Sequence, residues 1–132
     1  MNNKRKLLHQ ASYICFCFCI AFLLSMVPHT TGYAASKDTT KPTLTVTVDQ
    51  TQYAKSLKVK VKATDKSGIK EVKYEKEYKK TSYFKKNGIK LVLKQNCASV
   101  TITENGVYTF YAVDKYGNTR IKRVTITNID CM

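Results

Sequence analysis

Seven residues from Leu57 to Ala63 alternate without interruption: Leu57, Val59, Val61 and Ala63 are apolar, and Lys58, Lys60 and Lys62 separate them. A helix needs its apolar positions three and four apart, so a strict period of two demands an extended strand with one greasy and one cationic face. The pattern recurs in Leu44, Val46 and Val48, which alternate with Thr43, Thr45 and Thr47. Residues 99–129 then read as three alternating strands joined by turns at Glu104-Asn105-Gly106 and Lys115-Tyr116-Gly117-Asn118. Asn-Gly and Gly-Asn steps between alternating runs signal hairpins, because these residues tolerate the positive φ of a tight turn. Gly106 and Gly117 are therefore the structural glycines of this reading.

Seven short strands are expected in all. After a small-residue lead-in from Thr39 to Pro42 come the threonine-faced and lysine-faced strands, the second closed by Asp65-Lys66-Ser67-Gly68. A third strand spans Ile69 to Tyr78 with Val72 and Tyr74 inward, and the offset of Ile69 implies a bulge near Glu71. Thr81 to Gly88 reads as a crossing segment, and Ile89, Leu91 and Leu93 as a short edge strand. The last three strands carry Val100 and Ile102, then Tyr108, Phe110 and Ala112, then Val124 and Ile126. Turns every ten residues or so, with no convincing helix, indicate an all-β sandwich of about seven antiparallel strands. Tyr108 stands just after a tight corner, where a tyrosine corner would put its ring in the core and its hydroxyl on nearby backbone.

The other end of the chain has a different character. Lys4, Arg5 and Lys6 precede a nearly unbroken apolar run from Ala11 to Val27, followed by Pro28 and small residues at Gly32, Ala34 and Ala35. Basic start, apolar middle and small-residue exit form a secretory signal peptide, with cleavage expected after Ala34. The expected organisation is thus a leader over residues 1–34 and one domain over residues 35–132. The alternative is an uncleaved membrane anchor, but the run falls short of the roughly 20 apolar residues that a spanning helix needs. Cys15, Cys17 and Cys19 lack the neighbours of a lipoprotein cleavage box.

Removal of the leader decides most of the enzyme question. His9 and His29 are the only histidines and both leave with it, and the remainder has no Trp and only Cys97 and Cys131 of the five cysteines. No Ser-His or Cys-His nucleophile and no His-ligated zinc can be assembled from what stays. No dinucleotide, phosphate-loop or metalloprotease motif occurs. The remaining acids are interleaved with lysines, as in Glu71-Val72-Lys73-Tyr74-Glu75-Lys76-Glu77, which is the pattern of a solvated strand face. The expectation is a protein with no catalytic residue and no cofactor.

One set of motifs carries a resemblance: Asp65-Lys66-Ser67-Gly68-Ile69, Val72-Lys73-Tyr74, Tyr83-Phe84 with Asn87-Gly88, Thr103-Glu104-Asn105-Gly106-Val107-Tyr108-Thr109, Tyr111-Ala112-x-Asp114-x-x-Gly117-Asn118 and Thr127-Asn128-Ile129-Asp130. Over roughly residues 38–130 the chain resembles one repeat of the bacterial immunoglobulin-like (fibronectin-III-like) modules of Gram-positive surface and extracellular proteins. The resemblance implies a single Ig-like sandwich of seven strands, an extracellular address and a spacer or binding role without catalysis. Here one module follows its own leader, with no Leu-Pro-x-Thr-Gly sorting motif and no membrane anchor in the processed chain.

Charge supplies the remaining functional signal. Three of the 23 Lys and Arg residues leave with the leader and all nine acids stay, so 20 positive groups face nine negative ones, a formal +11. Lys58, Lys60 and Lys62 share a face, and Lys70, Lys73, Lys76, Lys79, Lys80, Lys85 and Lys86 follow closely. Such a surface concentrates polyanions outside the cell, in a salt-dependent way. The bland reading is that exposed lysines keep strands soluble and block edge pairing. Sequence-specific nucleic-acid recognition is not expected, because base readout favours bidentate Arg and a reading helix is lacking.

Three smaller constellations complete the inventory. Asp65 and Asp114 end strands at what should be one end of the sandwich, near Asn118, where carboxylate oxygens could hold Ca²⁺, although Asp in such turns more often bonds its own backbone. Tyr78, Tyr83 and Phe84 could form a platform for a sugar, although rings in a crossing segment usually join the core. Cys97 and Cys131 could pair in an oxidising compartment, although up-down strand order puts them at opposite ends of the sandwich. The expected function is a secreted, non-enzymatic module that adheres to an anionic envelope polymer or another surface protein. The alternatives are a diffusible cationic effector or inhibitor, and a truncated repeat with no activity of its own.

Overall fold

The computed structural model describes residues 36–130, so the leader, its cleavage site and Cys131 lie outside the described residues. Seven strands and one helical turn follow in the order β1 (Thr43–Val48), β2 (Leu57–Thr64), β3 (Ile69–Lys76), α1 (Thr81–Phe84), β4 (Ile89–Leu91), β5 (Cys97–Ile102), β6 (Gly106–Asp114) and β7 (Thr119–Ile126). They make two antiparallel sheets, one of three strands in the order β1-β2-β5 and one of four in the order β4-β3-β6-β7. The protein is all-β, with the two sheets layered like a sandwich over a shared core.

The core follows from the period-two pattern. Val59, Val61 and Ala63 on β2 are at most 1% exposed, and they meet Val72, Phe110, Ala112 and Ile126 from the facing sheet. Burying a side chain of this kind contributes roughly 1.5–3 kcal/mol. On β3 the bulge falls between Ile69 and Glu71, where the pairing with β6 shifts register. That offset is what lets both Ile69 and Val72 reach the core. Tyr108 is buried, and its hydroxyl donates to the Glu104 carbonyl at 3.0 Å.

β6 is buried on both of its faces. Tyr108, Phe110 and Ala112 point into the core, while Thr109 and Tyr111 lie outward and are nonetheless buried. The segment from Glu77 to Gly88 covers them. Phe84 stacks on Tyr111 with centroids 5.1 Å apart and planes 6° from parallel. The Thr109 hydroxyl donates to the Glu77 carbonyl at 2.7 Å and accepts the Lys79 N–H at 3.1 Å, so the buried hydroxyl is satisfied. Gly88 closes the cover at φ +95, and a Cβ there would stand 2.8 Å from the Phe84 ring, so only glycine fits.

Several local expectations change. The Glu104-Asn105-Gly106 turn is not a hairpin: it carries the chain from β5 in one sheet to β6 in the other. Asn105 is used as a clasp, its amide donating to the Ile129 carbonyl at 2.8 Å and its oxygen accepting the Ile129 N–H at 2.9 Å. Of these two turns, Lys115-Tyr116-Gly117-Asn118 is the one that makes a hairpin, between β6 and β7, with Gly117 at φ +90. The third strand stops at Lys76 rather than Tyr78, because Glu77 turns to φ +75 while giving its N–H to Val107. The crossing segment holds a single helical turn, which drops Phe84 onto the sheet. Leu93 lies beyond β4 but still packs against the core, and Cys97 is the first residue of β5.

Candidate functional site

The central strand of the three-stranded sheet places Lys58, Lys60 and Lys62 on its outer face, all exposed, while the residues between them are buried. Register supplies the flanks: Lys60 lies between Thr47 on β1 and Ser99 on β5, Lys62 between Thr45 and Cys97, and Lys58 beside Thr101. Together with Val92 and Lys94, all of these except Thr101 line an open groove of about 700 Å³. No acidic side chain lines it, and none of the three lysines enters an ion pair among the described residues. Same-face side chains on a strand stand roughly 7 Å apart, so three like charges sit in a row. Lys58 and Lys60 also border an adjoining groove with Asp49 and Tyr53, and Asp49 makes no ion pair with either.

The other seven lysines do not extend this face. They belong to β3 and the cover segment of the four-stranded sheet, and the structure divides them by what they touch. Lys73 is committed inside the fold, 3.0 Å from Glu71 and 3.0 Å from the Phe84 carbonyl. Lys76 pairs with Glu104, and that hydrogen bond raises its pKa. Lys79 pairs with Glu77 at 2.9 Å, which raises its pKa too, and its ammonium stands 5.0 Å over the Tyr83 ring. Lys70, Lys80, Lys85 and Lys86 are exposed without an ion pair among the described residues.

The aromatic trio separates as well. Phe84 is buried against Tyr111 and edge-on to Tyr83, so it forms part of the cover and not a binding surface. Tyr83 is half-buried and its hydroxyl donates to Glu75 at 3.2 Å; burial, then that hydrogen bond, raises its pKa. Tyr78 alone stays at the surface, with the Arg123 guanidinium 3.8 Å over its ring.

Asp65, Asp114 and Asn118 do converge, and they bring a fourth partner that the sequence reading missed. Asp38, Asp65 and Asp114 each place a carboxylate oxygen within 4.8 Å of the others. Asn118 ties the group together, its amide donating to Asp114 Oδ2 at 2.7 Å and to the Asp38 carbonyl at 2.9 Å. Nothing local marks Asp38, which comes from the irregular segment ahead of β1, far in sequence from both turns. Hard oxygens so grouped suit Ca²⁺, which takes six to eight of them. Most of the described oxygen contacts here are nevertheless turn chemistry. Asp114 Oδ1 accepts the Tyr116 and Asn118 N–H groups, both at 2.8 Å, and Asp65 Oδ1 accepts from the Ser67 backbone and hydroxyl. Burial pushes the Asp114 carboxyl up, but the bonds from Asn118, Tyr116 and Gly117 together outweigh it and leave the pKa below the ordinary value.

Cys97 is exposed and carries a free thiol. It pairs across from Lys62 at one end of β2, whereas Asp130 bonds Ala54 ahead of the other end. At about 3.3 Å per residue, the strand from Leu57 to Lys62 alone separates these two ends by roughly 17 Å. No family model matches the chain, and no curated protein or solved structure matches it.

Proposed function

We propose that this chain is an exported, immunoglobulin-like module, without catalytic activity, that adheres to an anionic polymer of the bacterial cell envelope through its lysine-lined sheet face. The Ig-like reading is supported by strand order: β1-β2-β5 faces β4-β3-β6-β7, so the fourth strand pairs with the third, as in fibronectin-III-like modules. The adhesive reading rests on one observation, the row of Lys58, Lys60 and Lys62 along one exposed sheet face, none of them in an ion pair among the described residues. Unpaired lysines occur elsewhere on the domain, Lys70, Lys80, Lys85 and Lys86 among them, and what sets this row apart is its alignment along one strand face. Edge protection gives no reason for it, because β2 is the central strand of its sheet.

Fractionation of producing cells tests this directly. The protein should stay with the envelope at low salt and leave it in high salt, because each lysine bound to a polyanion displaces a counterion. Its first residue by mass spectrometry should be Ala35. Accumulation in the medium with no affinity for isolated envelope would refute adhesion and favour a diffusible effector.

A further inference from the structure

We propose that the lysine row recognises a linear polyol phosphate polymer with a three-carbon repeat, laid along β2 with successive phosphates opposite Lys58, Lys60 and Lys62. This rests on the envelope-adhesion reading and names the polymer it binds. Spacing is the first argument. Same-face residues on a strand recur every roughly 6.6–6.8 Å. Six single bonds separate neighbouring phosphorus atoms in a glycerol phosphate chain, which span about 7 Å when extended, from ordinary bond lengths. One lysine therefore meets one phosphodiester, charge for charge.

The flanks fit the same ligand. Thr47 and Ser99 lie on either side of Lys60, Thr45 beside Lys62 and Thr101 beside Lys58, so each ammonium has a hydroxyl neighbour able to donate to a phosphate oxygen. Lys is a point-charge partner for phosphate, whereas carboxylates favour the Arg fork, and the groove contains no Arg. It contains no aromatic ring either; the exposed Tyr53 lies in the adjoining groove beside Lys58 and Lys60, a single ring where single-stranded nucleic acid needs a succession of them.

A strained turn extends the row. Gln95 and Asn96 both sit in the left-handed region, at φ +49 and +65, between Lys94 and Cys97, which exchange backbone hydrogen bonds of 2.7 and 3.0 Å. Such a conformation costs on the order of 1 kcal/mol or more for a residue like Gln, and two of them in succession make the two-residue hairpin turn that matches strand twist. Here it lays Lys94 beside Cys97, whose partner on β2 is Lys62, and so adds a fourth ammonium to the groove.

The test titrates the purified protein with poly(glycerol phosphate), a five-carbon poly(ribitol phosphate), polyglutamate and oligothymidylate of matched charge. The variants are K58Q/K60Q/K62Q and, removing equal charge from the cover segment, K80Q/K85Q/K86Q. Poly(glycerol phosphate) should bind tightest, and the row variant should lose at least about tenfold in affinity and about two units of salt slope, at roughly 0.7 per lost contact. The cover variant should change by less than about twofold, as expected for charges distant from the ligand. Single K60Q, expected to lower the slope by about 0.7, provides the same readout with the least disturbance to the strand. Equal losses in the two triple variants, or equal affinity for all four polymers, would overturn the proposal and leave general adhesion standing. Binding to none of them, together with release from envelope at low salt, would remove both.

Discussion

Replacing Phe84 with alanine separates a ring that holds the fold together from one that waits for a ligand. Phe84 is 1% exposed, stacked 5.1 Å from Tyr111 and edge-on at 5.4 Å to Tyr83. Truncating a buried Phe costs about 3–5 kcal/mol, and the thin cover above this ring can partly collapse, so about 3 kcal/mol is expected. A domain of this size loses roughly 4–8 °C of Tm per kcal/mol, so F84A should melt about 12–24 °C lower. Thermal unfolding followed by near-ultraviolet circular dichroism reads this, because Tyr111 and Tyr83 lose their fixed surroundings at the same time. Y78A is the control: its ring is 65% exposed and its contact is the Arg123 guanidinium. That contact is worth about 0.5–1 kcal/mol. If F84A melted within about 3 °C of the parent, or Y78A proved the more damaging change, the cover segment would not belong to the cooperative core.

Three further outcomes follow from single contacts. Y108F keeps the buried ring but loses the bond to the Glu104 carbonyl, and chemical denaturation should show a loss of about 1 kcal/mol with an unchanged m-value. The folded Asp114 pKa lies below its ordinary value, so its contribution is complete at neutral pH and is lost as pH falls below about 4 through the folded pKa. D114N should therefore flatten the acid limb of the stability-pH profile. N105A removes both hydrogen bonds to Ile129, and amide exchange at residues 127–130 should accelerate while the core amides of β2 and β6 stay protected.

Legibility in the sequence tracked how local each determinant was. Leu57 to Ala63 announces β2, because period two is a property of neighbours, and the β3 bulge could be read from the single-residue offset of Ile69. Asn105-Gly106 shows the limit of such reasoning. The step marks a reversal, but which strand lies beside the next one is set by β2 pairing β5 and β3 pairing β6, contacts between residues far apart in the chain. The helical turn at Thr81–Phe84 was hidden for a related reason: four residues carry no period, and Phe84 is placed by Tyr111 across the sheet. In the lysine inventory, alternation identified the face of β2 but could not tell which of the later lysines had carboxylate partners. Lys76 finds its partner in Glu104, 28 residues away.

The clasp at the end of the described chain has a mechanical side. Ala54 and Ile129 form a parallel bridge, Ala54 bonds Asn128 and Asp130, and Asn105 grips Ile129 from a third direction. Tension applied beyond residue 130 would meet these bonds before it reached β7. A parallel bridge loaded along its own axis must break its bonds together instead of peeling one after another. If the module adheres to the envelope as proposed and is tugged by flowing liquid, that corner acts as the fuse.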